Sequence, residues 1–326
     1  MAARGGLSWR WSQFGLGALY AAPALGVAPN APAAALALSI GVLPAAAMGL
    51  PPRRRGRVVI PLFGAVVALG LVFGATIALV PVVAVVALGG ISVLAAGLAA
   101  HRRAGRLTLT LFLPMMGIGL SFPLSTTTMM LATAILCGSI FAWAVGLFWP
   151  EQPEKPRVAA TVPKGRALWG YGVLLGAAAS TAAAIGFTAG LEHVGWATGT
   201  VLLVMRPVRG QLVRRSVGRA GSVLVGALAA TGLAVLSPNG VVIGVAIALA
   251  VGALCATHES RWYVAPAFTT FLVLTFLVTT STVSASDRLL ERTAETLLGV
   301  AIALFFGAFI PTLLAMRRPG KATAAE

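Results

Sequence analysis

The chain has 326 residues, of which 58% are hydrophobic and only 10% charged, and its formal net charge is +16. That apolar share excludes an ordinary soluble domain, in which about a quarter of the residues carry charge. The basic excess falls in short loops between apolar stretches and does not gather on one soluble face, so it argues against a nucleic-acid partner and for juxtamembrane loops that set topology and meet anionic lipid.

A spanning helix needs about 20 mostly apolar residues. By that measure helices are predicted near 10–28, 32–50, 58–79, 82–100, 107–123 and 127–149, and again near 167–190, 195–206, 219–237, 240–256, 263–281 and 287–316. The first stretch has some features of a secretory signal, with Arg10 ahead of an apolar core and Ala31-Pro32-Ala33 as a cleavage-like site. Trp9, Trp11 and Gln13 make a poor signal core, however, and Trp suits an interfacial anchor, so retention of this helix is expected. The expected fold is an all-α integral membrane protein of about twelve transmembrane helices.

Basic residues mark every second loop. One set comprises Arg4 and Arg10, Arg53/Arg54/Arg55/Arg57, Arg102/Arg103/Arg106, and Lys155, Arg157, Lys164 and Arg166; it continues with Arg206/Arg209/Arg214/Arg215/Arg219, Arg261, and Arg317/Arg318/Lys321. Only Arg288 and Arg292 fall outside it. Cytoplasmic loops carry the Lys/Arg excess, which places both termini in the cytoplasm of a multi-pass protein of the cell (plasma or inner) membrane.

The halves repeat. Gly56-Arg57 leading into a helix that ends Val80-Pro81 parallels Gly218-Arg219 leading into one that ends Ser237-Pro238, and Gly138 to Pro150 parallels Gly299 to Pro311. Six spans is an even number, so the copies are parallel: 1–150 as repeat one, a cytoplasmic linker 151–166, 167–316 as repeat two, and a tail 317–326. Parallel repeats of this kind enclose a pathway at their interface.

Acidic residues number eight, and three of them open the last helix: Asp287, Glu291 and Glu295, interleaved with Arg288 and Arg292. On a helix these five share an arc of about 140°, next to Gly299. Two readings are open. A helix over 287–316 would run about 45 Å, longer than the roughly 30 Å hydrocarbon core, so its first turns could project outside with Ser286 or Asp287 as N-cap. Alternatively the face lines an aqueous cavity, where ionisable groups at membrane depth form substrate or proton pathways, with Glu295 the deepest of them.

Two further clusters are candidates. Glu192-His193 with Trp196 lies at a predicted outer junction, where a carboxylate beside a histidine tunes a charge change near neutral pH. Arg206, Arg214, Arg215 and Arg219 form an inner group able to attract carboxylates by bidentate pairing, although topology alone accounts for basic residues there. No GxxxxGK[ST] loop, HExxH motif or zinc-ligand spacing occurs, and no Ser/His/Asp set stands out. No enzyme, cofactor or metal site is therefore expected, and the two cysteines, Cys137 and Cys255, look like small apolar residues.

Trp196-Ala-Thr-Gly-Thr-Val-Leu-Leu-Val-Met, followed by Arg214-Arg215-Ser-Val-Gly218-Arg219-Ala-Gly221 and later by Arg288-Leu-Leu-Glu-Arg292-Thr-Ala-Glu-Thr296-Leu-Leu-Gly299, resembles the fusaric-acid-resistance-like family over about residues 167–316. The resemblance implies a membrane transporter similar to bacterial exporters of aromatic carboxylic acids, without the cytosolic domain that many members carry between halves. It is also similar in broad architecture to the aluminium-activated malate transporters, which are anion channels. The function expected is export of small organic, aromatic or other carboxylate, compounds with coupling to protons. A passive anion channel and a non-transporting accessory subunit are the alternatives. The expected partners are the lipid bilayer, a small organic anion and a second copy of the chain.

Overall fold

The computed structural model describes residues 7–99, 101–153, 165–205, 211–260 and 263–316. Arg4, Lys155, Arg157, Lys164, Arg206, Arg209, Arg261, Arg317, Arg318 and Lys321 lie outside them, as do most of the linker and the tail.

Helices form where hydropathy placed the apolar stretches. They are α1 (Trp11–Val27), α2 (Pro32–Met48), α3 (Val59–Ile77), α4 (Pro81–Ala99), α5 (103–119) and α6 (Thr126–Phe148). A second set follows as α7 (Arg166–Thr188), α8 (Val194–Val204), α9 (Leu212–Val235), α10 (Gly240–Ala256), α11 (Ala265–Thr280) and α12 (285–316). Of these, α3, α4, α6, α7, α9 and α12 are long and apolar enough to cross a bilayer, while α2, α5, α8, α10 and α11 are shorter apolar helices. Side-chain caps fix three starts: Ser125 accepts from the Thr128 N–H, Asn239 from Val242 and Ser284 from Asp287, each satisfying a donor that the helix cannot. Pro81 opens α4 and Pro32 opens α2, positions where a missing N–H costs nothing.

Two local expectations are corrected. The ninth helix begins at Leu212, not near 219, so Arg214, Arg215 and Arg219 sit on its first turns. Straight-chain and apolar residues from Leu212 onward continue a helix readily, and the charges had hidden it. The cap of α12 is Ser284, ahead of the Ser286 or Asp287 expected. Both α5 and α12 contain a π-helical turn, over Thr108–Phe112 and Phe305–Phe309. The first lies just ahead of Pro114, where the proline ring cannot continue a regular ladder.

Packing follows a regular scheme. Helix α1 runs along α10 and α4 along α7; α2 packs on α6 and α8 on α12; α3 packs on α6 and α9 on α12. Helix α3 also meets α5 as α9 meets α11, and α2 touches α11 as α8 touches α5. Every one of these contacts is carried onto another by a shift of six in the helix number.

Small residues allow that closeness. A Cβ on Gly195 would lie 2.4 Å from the Gly117 carbonyl oxygen, so α8 rests directly on the α5 backbone, and the Gly195 N–H donates to Ser121 Oγ at 2.9 Å.

The alternating loops segregate to two ends. At one, the Ser8 N–H donates to Ser260 Oγ (2.9 Å), Arg10 pairs with Glu259 (3.0 Å) and also reaches Gln152, and the Arg54 N–H donates to Glu151 (2.7 Å). This basic end also holds Arg57, which is fully buried. Its guanidinium donates to the carbonyls of Pro51, Pro52, Gly146, Trp149 and Pro150, and so caps the final turn of α6 with a cation. The far end holds the turns around 121–125, 189–193 and 281–284.

Candidate functional site

At the far end, a cavity of about 650 Å³ opens between the two sets of helices. Its walls include Ser121 and Phe122 after α5, Phe187 of α7, Glu192 and His193 before α8, and Arg288 of α12.

The charged face of α12 begins here. Arg288 is only 3% exposed; it donates from Nη2 to Glu192 Oε1 at 2.7 Å and from Nη1 to Glu291 Oε2 at 2.8 Å. His193 Nδ1 lies 2.6 Å from Glu291 Oε1. A contact that short to a carboxylate puts the proton between them, so Nδ1 is the donor. The 3.4 Å approach of Arg288 Nη1 to the same Nδ1 therefore sets two donors side by side and is not a further hydrogen bond. Glu192, His193 and Glu291 offer ligand atoms within 4.8 Å of one another, as a metal site would. With the Arg288 guanidinium holding both carboxylates, this arrangement is an ion-pair network.

Trp196 continues the column inward. Its ring stacks on His193 at 4.1 Å between centroids and 12° between planes, and the Arg292 guanidinium carbon sits 4.4 Å from the Trp196 centroid. This is cation–π geometry, stronger where water is excluded. Arg292 is 8% exposed, Glu295 one turn on is 3% exposed, and Arg219 of α9 is 6% exposed. Both Glu295 oxygens and Arg219 Nε are buried without a hydrogen-bond partner. Among the described residues, neither the Arg219 nor the Arg292 guanidinium forms an ion pair, while the charges of Arg219, Glu291 and Glu295 all bear on Arg292.

Depth follows from one contact. Thr231 Oγ1 donates to the Ala285 carbonyl at 3.3 Å, which sets the far end of α9 level with the start of α12. Counting down these antiparallel helices, Arg292 lies about 10 Å, Glu295 about 15 Å and Arg219 about 18 Å below that point. Gly299 lets α12 come this close to α8: a Cβ there would meet the Ala197 carbonyl oxygen at 2.5 Å.

The structure sorts the residues singled out in the sequence. Arg288, Arg292 and Glu295 are buried, Glu291 is half-buried, and Asp287 is exposed and bound to Ser284, so it serves the helix cap and leaves the inward face. The separate candidates Glu192, His193 and Trp196 join this face as one continuous column. The inner arginine cluster divides: Arg214 is exposed, Arg215 is half-buried and reaches Gln211, Arg206 is outside the described residues, and Arg219 belongs to the buried group beside Arg292. Ser121, Phe122 and Phe187 had no signal in the sequence, since neutral residues on other helices enter the site only through packing.

Fold and site together define a multi-pass helical membrane protein with ionisable groups buried among its helices. Residues 172–306, from α7 into α12, match the family model described as fusaric acid resistance protein-like, and the matched stretch contains Glu192, His193, Trp196, Arg219 and the whole inward face of α12. No curated protein and no solved structure matches the chain. The match points to a membrane transporter.

Proposed function

We propose that the protein exports small organic anions, aromatic or other carboxylates, across the cell (plasma or inner) membrane, with Glu295 exchanging a proton. The basic end, carrying both termini, faces the cytoplasm, and the route runs between two parallel six-helix repeats of six spans each. The contact scheme that repeats with a shift of six, and the gathering of basic loops at one end, support this architecture.

One observation carries the reading. Arg292 on Trp196 and the unpartnered Glu295 are buried on a single face of α12, below a cavity that Arg288 and His193 line. Charges removed from water are expensive to hold without partners, and in membrane proteins they persist where a solute or proton path uses them. Arg292 binds the anion midway and Trp196 supports an apolar body beside the charge. Glu295, buried one turn on from Arg292, takes up and releases the proton.

The test is counterflow of radiolabelled benzoate in proteoliposomes under an imposed pH difference. The wild type shows flux that depends on ΔpH, and Glu295→Gln loses that dependence while it still folds and inserts. Unchanged ΔpH-driven flux in Glu295→Gln removes the mechanism. Single-channel currents in planar bilayers would identify a passive anion channel, and neither flux nor current, with a stable co-purifying partner, would identify an accessory subunit.

A further inference from the structure

Three carboxyl groups descend from the far end into the protein. Glu192 at the rim is exposed, Glu291 is half-buried, and Glu295 is buried on the next turn of α12. His193 links this series to the cavity, which it lines although only 5% of it is exposed. Its Nδ1 is engaged by Glu291 Oε1, so Nε2 is the nitrogen left for exchange with the cavity. The two oxygens of Glu291 have different neighbours: Oε2 accepts from Arg288 and Oε1 from His193. Arg288 also holds Glu192 at 2.7 Å, so the cation keeps a carboxylate when Glu291 is neutral. Glu295 follows Glu291 by four residues, which sets both on one face with about 6 Å between their Cβ atoms. The Glu295 carboxyl also lies within reach of the His193 backbone, and the charges of Glu291, Arg292 and Glu192 bear on it. A latch between α8 and α12 needs only Arg288 with its two carboxylates. It does not call for an imidazole set between the cavity and one of them.

We infer that His193 and Glu291 relay protons between the far-end cavity and Glu295. This rests on the reading that Glu295 exchanges a proton, and it adds the side from which Glu295 is loaded and the residues that deliver the proton. A proton from the cavity binds Nε2 of neutral His193, giving an imidazolium protonated on both nitrogens. The Nδ1 proton passes to Glu291 Oε1, which leaves a neutral imidazole with its proton on Nε2 and a neutral Glu291. Glu291 then gives its proton to the Glu295 carboxylate, directly or across one water. A half-turn of the imidazole about its bond to Cβ restores the starting tautomer, and the flat stack on Trp196, 4.1 Å between centroids, receives the ring either way round. One proton enters at Nε2, one arrives at Glu295, and neither His193 nor Glu291 keeps a changed charge. The charged and titratable groups that face His193 are Glu291, Arg288 and, toward its backbone, Glu295, all on α12, together with the adjacent Glu192. The remaining walls of the cavity are neutral.

The test is benzoate flux driven by ΔpH in proteoliposomes, with His193→Asn, Glu291→Gln and Glu295→Gln beside wild type. Asn places an N–H donor where Nδ1 stands, so the bond to Glu291 survives while the relay is cut. His193→Asn should lower driven flux about tenfold or more. Imidazole in the bath, which a cavity of about 650 Å³ admits, should restore most of it. Pyrazole, of the same size but unprotonated at neutral pH, should not. Each rescue is read against wild type with the same additive, which corrects for any gradient that a permeant base dissipates. Glu291→Gln and Glu295→Gln break the path below the histidine and should lose driven flux with no rescue by imidazole. Melting midpoints separate a cut relay from lost folding, and Glu291→Gln carries the test should His193→Asn not fold. Undiminished driven flux in His193→Asn or Glu291→Gln, with the dependence lost in Glu295→Gln, removes the relay and leaves the transport reading standing. Flux lost in folded His193→Asn that imidazole does not restore, or that pyrazole restores equally, assigns His193 to packing alone and overturns the relay. A wild type without ΔpH-driven flux overturns both readings.

Discussion

Arg57 and Arg219 predict opposite outcomes for one substitution. Arg57 is fully buried and donates to five carbonyls, so Arg57→Met leaves those of Pro51, Trp149 and Pro150 without donors among the described residues, while Gly146 keeps the Trp149 N–H and Pro52 the Gln152 N–H. Each carbonyl left dry costs about 1–3 kcal/mol, and with water reaching some of them the total is about 3–5 kcal/mol. At roughly 2 °C per kcal/mol for a large domain, the melting midpoint should fall by about 6–10 °C. Arg219→Met removes a buried cation that has no ion-pair partner among the described residues and fills its volume with an apolar chain. That change should stabilise the empty protein by about 1–3 kcal/mol, raising the midpoint by about 2–6 °C. The assay is differential scanning fluorimetry of both variants in one detergent, with carboxylate buffers left out. A fall for Arg219→Met as large as that for Arg57→Met would show that Arg219 is held by the fold, and the contrast between the two arginines would collapse.

Other predictions concern the surroundings of the column. Trp196→Leu removes the ring that touches both His193 and Arg292; it should weaken benzoate binding by about 1–2 kcal/mol, roughly 5- to 30-fold, with little change in the far-ultraviolet spectrum. Gly299→Leu drives side-chain atoms into the Ala197 carbonyl and Thr200, so it should cost about 1–3 kcal/mol in a melting assay and abolish flux by parting α12 from α8. Arg288→Gln releases Glu192 and leaves Glu291 with His193, and hydrogen exchange should rise at the start of α8 without changing at α1.

Much of the fold was legible because a bilayer imposes length and apolarity: α3, α4, α6, α7, α9 and α12 meet both demands, and the shorter α2, α5, α8, α10 and α11 are still apolar. The caps at Ser125 and Asn239, each a short polar side chain ahead of an apolar run, came from the structure. The first turn of α9 was not legible, since Arg214 and Arg215 look like loop charge until the helix is seen beneath them. The inward face of α12 was readable from helical spacing alone. Its union with Glu192, His193 and Trp196 was not, because contact between α8 and α12 joins residues some hundred positions apart and is set by Gly299, a residue with no charge to announce it. Arg57 and Arg219 show the same limit from the other side. Both resemble topology markers in sequence, and only their surroundings, five carbonyl partners for one and no ion pair among the described residues for the other, tell them apart.

The central claim is that the inward face of α12 looks into a water-accessible route, and cysteine labelling at position 295 tests it most directly. In a Cys137→Ala, Cys255→Ala background, which removes both native thiols, Glu295→Cys should react with a membrane-impermeant methanethiosulfonate from at least one side of the membrane, and benzoate should slow that reaction. Reaction with a lipid-soluble maleimide alone, and none with the impermeant reagent from either side, would contradict it.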